Sequence, residues 1–157
     1  MLKKMIDLSF EDVPEFRKAE ITKLIKRSIS VCVKEMRYSK NFYISIFVTN
    51  NVNMKKINLK YRKKNKVTNV LSFPQNETRF FGKSSIIILG DIVVSLEQIY
   101  EESQKQGKQF YKHLSHMIVH SLLHLLGFDH NTKKNFEIMK KKEIFILSKM
   151  SITSPYK

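Results

Sequence analysis

Residues 116–130 read His-Met-Ile-Val-His-Ser-Leu-Leu-His-Leu-Leu-Gly-Phe-Asp-His. His120, His124 and His130 have the spacing H-x3-H-x5-H, with Gly127 between the second and third. Residues four apart on a helix share a face and lie about 6 Å from each other, so His120 and His124 can aim their imidazoles at one ion. Met117, Ile118, Val119, Leu122, Leu123, Leu125 and Leu126 surround them with apolar surface, which predicts a largely buried helix over 110–126. Gly127 accepts the left-handed conformation that ends helices. The chain then turns back, and His130 supplies a third nitrogen from outside the helix. Three histidines leave a tetrahedral metal one position open to water, which is the catalytic rather than the structural pattern for zinc. His116 does not fit the same ion, because it stands eight residues from His124, about 12 Å along the axis. Ligand nitrogens sit at about 2.0–2.1 Å from zinc. His116 is therefore read as a residue behind the ligands or at the core edge, and His113 as solvent-facing or capping.

The same histidine spacing occurs in the metzincin peptidases, where a glutamate following the first histidine is the general base. Here that position is Ser121. A hydroxyl does not take a proton at neutral pH as a carboxylate does. The zincin-like histidine helix is thus shared, but the peptidase base is absent.

The chain has 157 residues, 42% of them hydrophobic, which fits one domain, 1–157, with a real core. Cys32 is the single cysteine, so no internal disulfide forms and a reducing compartment fits. The longest continuous apolar runs are four residues, at 86–89 and 144–147, far short of a membrane span. The N-terminus lacks the apolar run of a signal peptide. A cytoplasmic protein with no membrane association is expected. The net charge of +15 favours a nucleic-acid partner by phosphate neutralisation. A lysine-, asparagine- and isoleucine-rich composition also arises from an A/T-rich genome. The short lysine runs are read as solvated faces.

Along the chain, Ile6, Leu8 and Phe10 alternate with polar residues and predict a first strand. An amphipathic helix is expected over 14–36 and a second strand over 41–49. Asn50, Asn51 and Asn53 offer caps to a helix with Met54, Ile57 and Tyr61 inward. On that helix Asn58 and Arg62 share a face. Residues 68–74 read as a short strand closed by Pro74, and 75–85 as a mobile loop. Residues 86–94 are apolar on both faces and predict a central strand. Asp91 within it wants a partner: a metal-bound histidine, an arginine, or backbone amides at the strand end. Ser95 caps a helix that ends at Gly107. A last amphipathic helix spans 133–149, with Phe136, Met139, Ile144 and Leu147 inward. The fold class is α+β, a small mixed β-sheet packed by helices.

Four segments resemble the YbeY family of bacterial endoribonucleases and rRNA maturation factors. Asn58-Leu59-Lys60-Tyr61-Arg62 is similar to its N-x-x-Y-R helix, and residues 68–74 to its T-[DN]-V-L-S-F-P strand. Leu89-Gly90-Asp91-Ile92-Val93 is similar to its L-G-D-I-x strand, and 120–130 to its H-G-x-L-H-L-x-G-[YF]-D-H signature. Ser121 stands where that family usually has glycine. The resemblance implies a zinc-dependent, single-strand-specific endoribonuclease acting on ribosomal RNA, notably at the 3′ end of the small-subunit RNA, and in ribosome quality control. It implies one Zn2+ ion held by His120, His124 and His130, Arg62 as the functional arginine, and the ribosome or its small subunit as partner. Arginine suits that role because its planar fork can bind two phosphate oxygens. Two other classes stand beside this one: a zinc peptidase, opposed by Ser121 and the basic charge, and a non-catalytic ribosome-assembly factor with a structural metal site.

Overall fold

The structure is a computed structural model that describes residues 3–156. Four strands and five helices are formed among them: β1 (Lys4–Phe10), α1 (Lys18–Glu35), β2 (Phe42–Thr49), α2 (Asn51–Arg62), β3 (Val70–Phe81), β4 (Ser84–Ser95), α3 (Leu96–Gln106), α4 (Phe110–Leu125) and α5 (Lys133–Ser148). The sheet order is β1-β2-β4-β3. β1 and β4 flank β2 in parallel, while β3 returns antiparallel on β4. The expected α+β class with a mixed sheet is thus observed. β2 and β4 are the inner strands. Phe42, Ile44, Ile46 and Val48 from β2, and Leu89, Ile92 and Val94 from β4, are buried, while Tyr43, Ser45 and Phe47 on the other face of β2 are half-buried, a surface that β-branched and aromatic residues suit.

The histidine helix lies at the centre of the packing. α4 contacts α1, α3, α5 and the β3–β4 side of the sheet. Leu114, Ile118, Val119, Leu122, Leu123 and Leu125 have no exposed surface. A helix that is apolar nearly all round is stable only when enclosed in this way.

Three expectations are corrected. Residues 75–85 are not a loop. β3 continues through Pro74 to Phe81, and the hairpin closes on Gly82-Lys83 with glycine first at φ +62°, as in the primed hairpin turns. Pro74 is tolerated because β3 is the sheet edge and because the pairing shifts register between Pro74 and Glu77. Asn76 takes the left-handed conformation at that bulge, φ 55°, which asparagine accepts with little strain. α1 begins at Lys18 rather than residue 14. Pro14 instead enters a turn closed by the Phe16 N–H donating to the Val13 carbonyl at 3.2 Å, a position that suits its fixed φ. Finally, Tyr61 and Phe136 are exposed rather than inward. α2 turns Met54 and Asn58 to the core instead. α5 buries Met139, Glu143, Ile146 and Leu147.

The kink in the sheet falls at Leu89-Gly90, where both neighbours of β4 shift register. Gly90 has φ +139°, and a Cβ there would stand 2.2 Å from the Phe73 carbonyl oxygen of β3. That atom is backbone and cannot move aside alone. Gly90→Ala is therefore expected to destabilise the fold by at least about 2 kcal/mol, from backbone strain and overpacking combined. Urea denaturation measures it, and a variant with unchanged midpoint would show that β3 does not approach Gly90 this closely.

Candidate metal centre and basic cleft

His120 and His124 stand one turn apart on the last part of α4. After Leu125 the helix closes in a Schellman arrangement: Phe128 N–H donates to the Leu123 carbonyl and Gly127 N–H to that of His124, both at 3.0 Å. Gly127 supplies the left-handed residue, φ +100°. The expected helix stop is observed, and it turns residues 128–132 back across the helix end. Asp129 braces this loop: its Oδ1 accepts from Asn131 N at 3.1 Å and Asn135 Nδ2 at 2.9 Å. These bonds hold its carboxyl below the usual range. His130 is thereby brought over His124, with ring centroids 4.9 Å apart.

The ligand-capable nitrogens of His120, His124 and His130 all lie within 4.8 Å of one another. His120 Nε2 and His124 Nε2 are 3.1 Å apart, close to the ~3.3 Å between ligands about 2.0 Å from one tetrahedral ion. The opposite ring nitrogens are both committed. His124 Nδ1–H donates to the Phe128 carbonyl at 2.9 Å, and His120 Nδ1–H to Glu143 Oε1 at 2.5 Å. Each arrangement fixes the tautomer that leaves an Nε2 lone pair free for a cation. Burial, reinforced by neighbouring His120 and His130, holds the His124 pKa below the ordinary histidine value, which keeps that lone pair available. The donor set fits a metal ion.

Glu143 was not foreseen. It lies on α5 with no exposed surface, and its two oxygens face His120 and His116 at 2.5 and 3.2 Å. Tyr156 donates its hydroxyl to Oε2 as well. Burial opposes ionisation of this carboxyl, but the hydrogen bonds from His116, His120 and Tyr156 prevail and hold its pKa at about 2. A signal was present in the sequence: Glu143 interrupts the apolar stripe that runs from Met139 to Leu147 at helical spacing. His116 is where the spacing argument put it, behind the triad and against Glu143. His113 differs from expectation. It is only 5% exposed, with Nε2 at 2.9 Å from Glu102, because α3 packs on this face of α4. Asp91 accepts from Gln75 Nε2 at 2.9 Å and has neither a histidine nor an arginine as partner among the described residues.

His124 and His130 form one wall of an open cleft of about 470 Å³. The same cleft is lined by Arg62, Lys64 and Lys66 from the end of α2 and the segment after it. Two local features place them there. α2 ends on Lys63 in the left-handed conformation, φ 60°, and the buried Asn58 donates through Nδ2 to the Lys66 carbonyl at 2.9 Å. The Arg62 guanidinium donates to the Ser72 carbonyl at 2.5 Å on edge strand β3, and its Cζ lies 4.9 Å from the Phe73 ring centroid. One of its five N–H donors is thus used, and the rest remain for an oxyanion. Ser121 is fully buried, and its Oγ has no hydrogen-bond partner among the described residues. It is not among the residues that line the cleft.

The cleft joins two things: imidazole nitrogens of a cluster suited to a cation, and cationic side chains suited to phosphates. A sequence profile of the family described as Endoribonuclease YbeY matches residues 7–151. The chain is 47% identical to Endoribonuclease YbeY of Bartonella bacilliformis over 113 residues, 72% of this chain and 71% of that one. It is 45% identical to the protein of the same name from Bartonella quintana and 44% to that from Bartonella henselae, with the same coverage. A Thermotoga maritima protein solved in solution shares the fold at a TM-score of 0.60 and 22% identity, covering 98% of this chain and 99% of its own. With the profile matching residues 7–151 and named relatives 44–47% identical over 72% of the chain, the chain belongs to the Endoribonuclease YbeY family.

Proposed function

We propose that residues 1–157 form one hydrolase domain that cuts single-stranded ribosomal RNA with the help of one Zn2+ ion, in the cytoplasm and in association with the ribosome or its small subunit. One observation carries the reading: of three convergent histidine donors, His124 and His130 line the same cleft as Arg62, Lys64 and Lys66. Membership of a family whose named members are endoribonucleases supports the substrate class. Among the described residues no helix is long and apolar enough to cross a membrane, and Cys32 is buried and free.

His120, His124 and His130 would hold the ion. When bound, zinc lowers the pKa of a water to about 7 and polarises a phosphoryl oxygen. The chain's own residues do the rest. Arg62 binds phosphate oxygens with a fork already anchored on Ser72. Lys64 and Lys66 hold the strand on either side by charge. Glu143 keeps the His120 proton on Nδ1, and the Phe128 carbonyl does so for His124. A peptidase needs a base beside the triad, and Ser121 is a buried hydroxyl that does not line the cleft.

Incubation of the purified protein with single-stranded RNA and with casein, with and without a chelator, tests this reading. RNA cleavage lost on chelation and restored by Zn2+ is expected, with casein intact. Chelator-resistant RNA cleavage or casein hydrolysis contradicts it. Arg62→Ala should lower RNA cleavage by about tenfold or more, equivalent to about 1.4 kcal/mol of transition-state stabilisation. Zinc content should be unchanged, so a variant that loses its zinc would show Arg62 to be structural. Ser121→Ala removes an unpartnered buried hydroxyl and raises helix propensity. Its melting temperature should not fall and its cleavage rate should stay within about twofold, below the ~1 kcal/mol of one ordinary hydrogen bond. A large loss of activity would place Ser121 in the site.

A further inference from the structure

We propose that Tyr156 is a positioning residue for the metal centre, acting through Glu143 on His120, so that the segment after α5 forms part of the site. This rests on the proposed metal-binding role of the histidine triad. After Ser148 the chain reverses at Ser151, φ 59°, with Ile152 N–H donating to the Leu147 carbonyl at 3.0 Å. It then runs back along α5. Ser154 shapes the final turn, donating through Oγ to the Tyr156 carbonyl at 3.1 Å and accepting from Tyr156 N at 3.2 Å. Lys108 fastens the same segment from the α3–α4 loop, its Nζ donating to the Pro155 carbonyl at 3.2 Å.

The phenol is thereby clamped on several sides. The His116 and Phe136 rings meet it edge-on at 5.5 and 6.3 Å between centroids, and Lys140 Nζ lies 5.1 Å from its ring centroid. Its hydroxyl donates to Glu143 Oε2, the oxygen that also faces His116. Oε1 is left for His120 Nδ1–H. A carboxylate on a glutamate side chain can rotate about its last bond. With Oε2 pinned by two donors, Oε1 stays aimed at His120, and the imidazole keeps the orientation that presents Nε2 to the cleft. Partners of this kind behind a ligand commonly affect metal affinity by 10–100-fold when they touch the ligand itself. Tyr156 stands one bond network further out, and its effect is expected to be smaller.

The test uses the full chain, stripped of metal and titrated with Co2+ by visible absorption and with Zn2+ against a chromophoric chelator. Tyr156→Phe keeps the ring and removes the hydroxyl. It should weaken both metals by roughly threefold or more and alter the Co2+ ligand-field bands, a signature that a packing defect away from the site does not move. Glu143→Gln alone should weaken binding by more, on the order of tenfold. In the Glu143→Gln background, adding Tyr156→Phe should change affinity little, because the path is already cut. Unchanged Co2+ bands and affinity in Tyr156→Phe, or losses that simply multiply in the double variant, would overturn the proposal. Failure of the unsubstituted protein to bind either metal would instead overturn the metal site itself, and this control separates the two failures.

Discussion

A carboxylate with none of its surface exposed must have both oxygens hydrogen-bonded, or the loss of hydration outweighs anything it does for the fold. Glu143 meets that condition only if α5 stands in one register against α4, with His116 and His120 facing it from successive turns. The same bonds fix the His120 tautomer. One buried charge thus links helix packing to the orientation of a ligand-capable nitrogen. The loop from Gly127 to Thr132 does the corresponding work for His124 and His130, using a backbone carbonyl and an aspartate brace in place of a buried acid.

The parts of this arrangement that depend on local chain geometry were legible in the sequence. H-x3-H on an apolar helix, a glycine stop and a third histidine beyond it specify a cluster because helical periodicity and left-handed glycine are local properties. The inner strands and the caps at Asn50 and Ser95 were legible for the same reason. What escaped were contacts made across the fold. Glu143 reads as one more charge in a lysine-rich helix until α4 is placed against it. His113 reads as solvent-facing until α3 brings Glu102 to it. The long β3 was hidden by Pro74 and by polar residues that an edge strand can expose on both faces. Pro14 reads as a helix start, but the chain makes a separate turn there, closed by Phe16 on Val13, before α1 begins at Lys18.

The edge position of β3 also shapes the cleft. Because no strand pairs beyond it among the described residues, the Ser72 carbonyl is free to accept from Arg62. The end of α2 is thereby tied to the sheet edge that lines the cleft with His124 and His130. Asn58, buried beside the core, holds the lysine-bearing segment from the other side. The Arg62 guanidinium and the backbone that carries Lys66 are therefore both anchored, while the Lys64 and Lys66 side chains are exposed. An anchored guanidinium suits a phosphate ligand, because fewer of its rotamers must be frozen on binding.

The central claim is that one ion is held by His120, His124 and His130 together. Zinc K-edge X-ray absorption on the metal-loaded protein addresses it most directly. The account predicts light-atom scatterers at about 2.0–2.1 Å with outer-shell imidazole scattering from three histidines and no sulfur, and one fewer imidazole in a His130→Ala variant. A zinc–sulfur distance near 2.3 Å, or a spectrum unchanged by the loss of His130, would contradict it.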